Sequence, residues 1–151
     1  MAVILETKNF IIESHNEPEV SRIDGGHIVI SPKVKVEDRT QLSAELAKEM
    51  VLLTIITGKA MKQGLKEQGI ELGRINYQDN GNWKPELHIH LYGRAVNASY
   101  HPFGHPIRAA WTLEEKKKIK QEPLSNEDIE KIRKYMKEFA KDSGFEEIFF
   151  V

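Results

Sequence analysis

The 151-residue sequence contains no cysteine. That excludes a disulfide framework, an iron–sulfur cluster, a thiolate zinc site and a thiol nucleophile. It also lacks excess charge of either sign, with 22 Lys plus Arg against 23 Asp plus Glu and a formal net charge of −1. The broad basic footprint of a duplex DNA binder is therefore missing. Long apolar runs are absent too. Residues 50–57 (MVLLTIIT) form the most apolar stretch and end at Gly58-Lys59, far short of the ~20 residues a membrane helix needs. Residues 1–10 (MAVILETKNF) turn polar at Glu6, before the ~7–15 apolar residues of a secretory core accumulate. The expectation is a single cytoplasmic domain whose length suffices for a core without a covalent staple. What the chain does hold is six histidines.

Residues 3–13 suit two short strands or one interrupted strand. Residues 14–26 (SHNEPEVSRIDGG) form a long polar connection, read either as solvated or as function-bearing. Residues 27–31 (HIVIS) follow as a β-branched strand closed by Pro32. From Thr40 the period changes: Leu42, Leu46, Met50, Leu53 and Ala60 approach a 3.6-residue repeat, which predicts an amphipathic helix to about Gln68, stopped by Gly69. Residues 70–77 read as a strand and 78–85 (QDNGNWKP) as a turn-forming loop. Residues 86–92 (ELHIHLY) alternate strictly, so Leu87, Ile89 and Leu91 point one way and Glu86, His88, His90 and Tyr92 the other. Beyond residues 101–106 (HPFGHP), Thr112/Glu115 and Ser125/Asp128 are capping-box starts for two helices, the second carrying Ile129, Ile132, Met136 and Phe139 on one stripe and ending near Gly144. Residues 146–151 are expected to form a terminal strand.

Two imidazoles at i and i+2 on one strand face can act on one bound group. The residues alone leave three readings of His88 and His90: the polar face of an edge strand, a nitrogen/oxygen metal site completed by His101 or His105, and covalent catalysis in which a neutral imidazole attacks an electrophile such as phosphorus.

The wider pattern resembles the histidine triad (HIT) family. Gly25-Gly26 before residues 27–33 (HIVISPK), the long helix, residues 73–76 (GRIN) and residues 86–94 (ELHIHLYGR) occur in the family's order and at about its distances. The resemblance spans roughly residues 10–94 as a HIT core and leaves 95–151 as a C-terminal extension. It implies an α+β fold, a twisted and mostly antiparallel sheet with the long helix packed on one face and the extension beside it. It implies a nucleotide hydrolase or nucleotidyl transferase acting at the α-phosphate of a phosphoramidate or dinucleoside polyphosphate. In that picture His88 is the nucleophile that carries a nucleotidyl group, His90 contacts the phosphate, His27 supports the triad and Asn76 lines the phosphate and ribose side. The sequence departs from the family at the first triad position, where Glu86 stands in place of histidine and is counted with the catalytic residues, because a carboxylate there can accept a hydrogen bond and raise the basicity of a neighbouring imidazole. In the preceding loop Asn82, Trp83 and Lys84 are nucleotide-binding candidates. No cofactor is required, although a divalent metal is compatible, and the expected partners are the nucleotide and a second copy of the chain docked through the long helix and its adjoining strand.

The remaining candidates divide between site and scaffold. His15 and Glu13 fall near the family's ribose contacts. His101 and His105 are read as loop histidines or as a closing loop, and Phe103 and Trp111 as core cover or base-stacking rings. Lys116, Lys117, Lys118 and Lys120 are read as a solvated helix face. Two rival functions stand beside the enzyme: a nucleotide-binding module without turnover, and a metal-dependent enzyme built on His88, His90 and a downstream histidine.

Overall fold

The computed structural model describes residues 1–81, 84–108, 112–119 and 121–149. Five strands, β1 (Ala2–Glu6), β2 (Phe10–Ser14), β3 (His27–Pro32), β4 (Leu72–Gln78) and β5 (Ile89–Ala95), form one sheet. Its order is β1-β2-β3-β5-β4, and every neighbouring pair is antiparallel. The fold is α+β, as expected.

Alternation divides the sheet into two unlike faces. Ile12, Ile28, Ile30, Ile75, Ile89 and Leu91 lie under the helices in the main core. Helix α1 (Ala44–Lys66) supplies Met50, Leu53, Ala60, Met61 and Leu65 to that core. Each such aliphatic side chain contributes about 1.5–3 kcal/mol by leaving water. The helix starts later than the sequence pattern suggests, because Ser43 caps it by accepting the Leu46 amide, while Arg39–Gln41 forms a separate 3-10 turn capped by Asp38.

Beyond the short helix α2 (Leu113–Lys118), helix α3 (Asn126–Asp142) lays Ile129, Ile132, Met136 and Ala140 into the same core, packed against α1. Both capping boxes form, Thr112 with Glu115 and Ser125 with Asp128. From α3, Arg133 donates to the carbonyls of Val3 and Ile4 at 3.2 and 2.7 Å and ties the helix to β1.

Two elements differ from expectation. The strand anticipated for residues 146–151 is a short helix, α4 (Glu146–Phe149), and residues 150–151 lie outside the described set. Two glutamates at the start of a helix are stabilised by its positive end, which opposes the apolar pattern that suggested a strand. The triad strand also begins later, at Ile89. Glu86 and His88 therefore lie before the strand, Glu86 in a bend, and the Leu87 amide bonds to the Val36 carbonyl instead of to a sheet neighbour.

Among the described residues no helix is long and apolar enough to cross a membrane.

Candidate active site

The face turned away from the helices collects the polar residues. Pairing places His27 opposite Tyr92, Val29 opposite His90, Asn76 opposite Tyr92 and Gln78 opposite His90. Residues directly opposite in an antiparallel pair share a face, so the three strands present one continuous surface. Five rings line it in series. His15 stacks on His27 with centroids 4.7 Å apart, and His27 lies 4.6 Å from Tyr92 and 5.0 Å from His90. His88 meets His90 edge-on at 4.7 Å.

The hydrogen bonds fix where the protons sit. The Glu19 amide donates to His27 Nδ1 at 3.2 Å, and an amide cannot accept, so Nδ1 carries the lone pair. His27 is only 1% exposed, and burial, with His90, His15 and His88 nearby, pushes its pKa down to about 2. It is neutral, with its proton on Nε2. That N–H faces His90 Nδ1 at 2.8 Å and donates to it. Burial, helped by His88 and His15, lowers His90 to about 4, so His90 too is neutral and carries its proton on Nε2.

His88 has the opposite arrangement. Its Nδ1 stands 2.6 Å from the Glu86 carbonyl oxygen, which can only accept, so Nδ1 holds a proton, and the neutral form of this ring carries its lone pair on Nε2. Two adjacent rings thus differ at Nε2, an N–H on His90 and, in the neutral ring, a lone pair on His88.

Glu86 acts here through its main chain. Its side chain is exposed. His15, undecided from sequence, joins the cluster by stacking on His27, and its Nδ1 accepts the Glu17 amide at 3.2 Å. Burial, opposed mainly by the bond from Glu17, lowers the His15 pKa. Glu13 pairs with Val29 and shares this face. Tyr92 lies on this face as the alternation of residues 86–92 implies, and Gln78 joins it through pairing register, which alternation within one strand does not supply.

Asn76 lies farther along. Its Oδ1 accepts from Arg94 at 2.6 Å, which leaves its amide N–H groups as donors. Arg94 also donates to the carbonyls of Pro102, at 3.0 Å, and His105, and burial lowers its pKa. The loop with His101 and His105 is therefore anchored at the Arg94 guanidinium. His101 is 2% exposed and bonds through Nε2 to the Arg108 carbonyl at 2.9 Å, while the Ser99, Tyr100 and His101 amides bind the Asp24 carboxylate. Neither histidine joins His88 and His90, and among the described residues no group of three His, Asp or Glu side chains is placed to hold a metal ion. Phe103 covers Gly73 at the β4 edge. Lys84 and Lys117 are exposed, and Lys118 borders a small cavity beside Asp24 and His101. Asn82, Trp83, Trp111 and Lys120 lie outside the described residues, as does the side chain of Lys116.

One close approach positions the cluster. The backbones of Gly25 and Gly93 nearly touch, and a β-carbon on Gly93 would fall 1.9 Å from the Gly25 oxygen. Gly25 itself has φ +130°, a region L side chains rarely adopt. The pair lets β3 enter the sheet beside β5 at His27.

The HIT domain model matches residues 1–97. Comparison with curated protein sequences gave no match. Solved structures share the fold at low identity. A histidine triad protein from Sinorhizobium meliloti is 18% identical, with a TM-score of 0.60, over 91% of this chain and 87% of its own. One from Marinobacter aquaeolei is 14% identical with a TM-score of 0.58, over 90% and 88%. A zinc-bound histidine triad protein from Mycobacterium smegmatis is 15% identical with a TM-score of 0.53, over 94% and 89%. The domain match over most of the chain, and a sheet that brings His27, His88 and His90 together, make this chain a member of the HIT family.

Proposed function

We propose that the protein is a nucleotide hydrolase or nucleotidyl transferase that attacks the α-phosphorus of a nucleoside phosphoramidate or dinucleoside polyphosphate with His88. One observation carries this reading: the His88 and His90 rings meet edge-on with centroids 4.7 Å apart, and each has its Nδ1 engaged by the protein, which leaves both Nε2 atoms for a bound group. A nucleophile and a hydrogen-bond donor on adjacent rings suit one phosphoryl group, because the donor can hold the charge that develops on a phosphoryl oxygen.

In the first step a bond forms between His88 Nε2 and phosphorus, and the bond to the leaving group breaks, the electron pair departing with it. The leaving group takes a proton from water. The imidazole is then cationic, and the Glu86 carbonyl on its Nδ1–H stabilises that charge. In the second step water or another acceptor attacks phosphorus and loses a proton to solvent. The nitrogen–phosphorus bond breaks, and the lone pair returns to His88. Asn76, with its amide turned outward by Arg94, and Gln78, opposite His90, are donors on the same face for phosphate or ribose. Asn82, Trp83 and Lys84 belong to this proposal as contacts in the loop before the triad. No metal is called for in either step.

The protein works as a homodimer in the cytoplasm in this reading. Strand β4 is an unpaired sheet edge, and beside it α1 exposes Val51 at 50% and Ile55 at 47%.

The test is incubation with adenosine 5′-phosphoramidate or a diadenosine polyphosphate, with and without chelator. The expected result is chelator-insensitive release of AMP, abolished by His88→Ala, with a protein-bound AMP adduct after rapid denaturing quench at alkaline pH, where a nitrogen–phosphorus bond survives. Binding without turnover would identify a nucleotide-binding module instead. Loss of activity on chelation, with tightly bound metal, would identify a metal enzyme.

A further inference from the structure

The bond that sets the histidine tautomers comes from an irregular loop. Glu19 lies in residues 14–26, and its amide is the donor to His27 Nδ1. No strand or helix holds that amide. The chain around it is instead fastened by residues beyond the span matched by the HIT model.

The fastening is extensive. The Arg22 amide donates to the Glu122 carbonyl at 2.8 Å, and the Glu122 amide donates to the Ser21 hydroxyl at 3.0 Å. Gln121 reaches the Glu19 carbonyl at 3.5 Å. The Arg22 guanidinium donates twice to the Asp128 carboxylate, at 2.6 and 2.8 Å. Asp128 is 0% exposed, and it also accepts the Ser125 amide at 2.8 Å as part of the α3 capping box. Burial alone would raise its pKa, but the bonds from Arg22 and Ser125 hold it below the usual carboxylate range. Leu124 lies over Gly26, next to His27, so closely that a β-carbon there would be 2.6 Å from its methyl group.

We propose that residues 121–128 act as a strap that positions the reactive histidines: by clamping residues 19–22 to the start of α3, they keep the Glu19 amide on His27 Nδ1 and so hold the protons of His27 and His90 on Nε2. Arg22 and Asp128 are its principal positioning residues. Without the strap the Glu19 amide is free to move. His27 can then place its proton on Nδ1, and a lone pair on His27 Nε2 would face His90. His90 would answer by protonating Nδ1, which turns its Nε2 from a donor into a lone pair directed at the phosphoryl site. This rests on the reading of His88 and His90 as the reactive pair.

The test uses the 15N-labelled full chain at neutral pH, with imidazole tautomers read from long-range 1H–15N correlation spectra and kcat and KM measured on adenosine 5′-phosphoramidate. The wild type should show His27 and His90 protonated on Nε2 and His88 on Nδ1. Arg22→Met should introduce the Nδ1–H form at His27 and His90 and lower kcat about tenfold, the size of effect expected for a misplaced donor, with KM within about twofold. Arg22→Lys should recover part of both. Ile132→Val in the core of α3 should lower the melting temperature without moving a tautomer, which separates positioning from stability. If Arg22→Met does not fold, Ser21→Ala, which removes only the hydroxyl bound by the Glu122 amide, is read in the same way. A folded strap variant with wild-type tautomers overturns the proposal. Because the nitrogen spectra need no substrate, a tautomer change in a protein without turnover supports the strap and sinks the enzymatic reading, and turnover with unmoved tautomers does the reverse.

Discussion

His88 Nδ1 lies 2.6 Å from the main-chain carbonyl oxygen of Glu86, while the Glu86 side chain is exposed. Residue 86 therefore orients the His88 ring with an atom that every amino acid possesses. A change of side chain there leaves this bond intact.

It follows that Glu86→Ala and Glu86→His should both keep kcat within about threefold of wild type on a phosphoramidate, less than ~0.7 kcal/mol in barrier. Steady-state kinetics are the check. A tenfold loss in both variants would mean that the carboxylate itself takes part.

Acid should destabilise the fold through His27. The folded state keeps this ring neutral down to about 2, whereas the unfolded chain accepts a proton near the ordinary value of 6.5. Between those values unfolding takes up a proton, so stability is full above about 6.5 and falls as pH drops. From pH 6.5 to 4.5 the contribution lost is on the order of 2–3 kcal/mol. Urea titrations across this range should show His27→Gln losing correspondingly less than wild type. Parallel curves for the two proteins would contradict the buried neutral ring.

Gly93→Ala should be among the costlier small substitutions. The added methyl meets the Gly25 main chain, which cannot rotate away as a side chain could. A loss of about 3 kcal/mol is expected, with activity reduced because His27 enters its strand at this contact. Thermal melts and turnover, measured together, test it. A neutral result would show that the two backbones separate freely.

The proposed dimer rests on Val51 and Ile55 beside the β4 edge. Val51→Glu should convert a dimer into a folded monomer, because a carboxylate buried against the partner is costly to desolvate. Sedimentation velocity distinguishes the outcomes. A wild-type monomer at micromolar concentration, or a Val51→Glu dimer, places the interface elsewhere or removes it.

Much of this was legible before any coordinates. The apolar repeat from Leu46 to Ala60 marked α1, the alternation of Leu87, Ile89 and Leu91 marked the buried side of the triad strand, and the capping boxes at Thr112 and Ser125 began the helices where they stand. These signals are local, since each depends on the backbone period or on one turn's hydrogen bonds. The segment after Gly144 misled because six residues carry too little period to separate a strand from a helix. The connection at residues 14–26 was ambiguous for a different reason: its polar composition looks solvated, yet Ser21 and Asp24 are buried, Ser21 against Glu122 and Asp24 beneath the amides of residues 99–101, partners distant in sequence.

Sequence by itself determined that no thiol is present to serve as a nucleophile, that alternation turns His88 and His90 to one side of the chain, and that glutamate stands two residues before His88. Only the tertiary structure decided which of the six histidines belong together and which nitrogens of His27, His88 and His90 hold protons. His15 and His27 are brought to His90 by strand pairing and ring stacking, whereas His101 and His105 are carried away to Arg94. The proton positions follow from the partners of each ring, the Glu19 amide on His27 and the Glu86 carbonyl on His88. An imidazole has the same composition in either tautomer, and only the donor or acceptor set against it in space selects one.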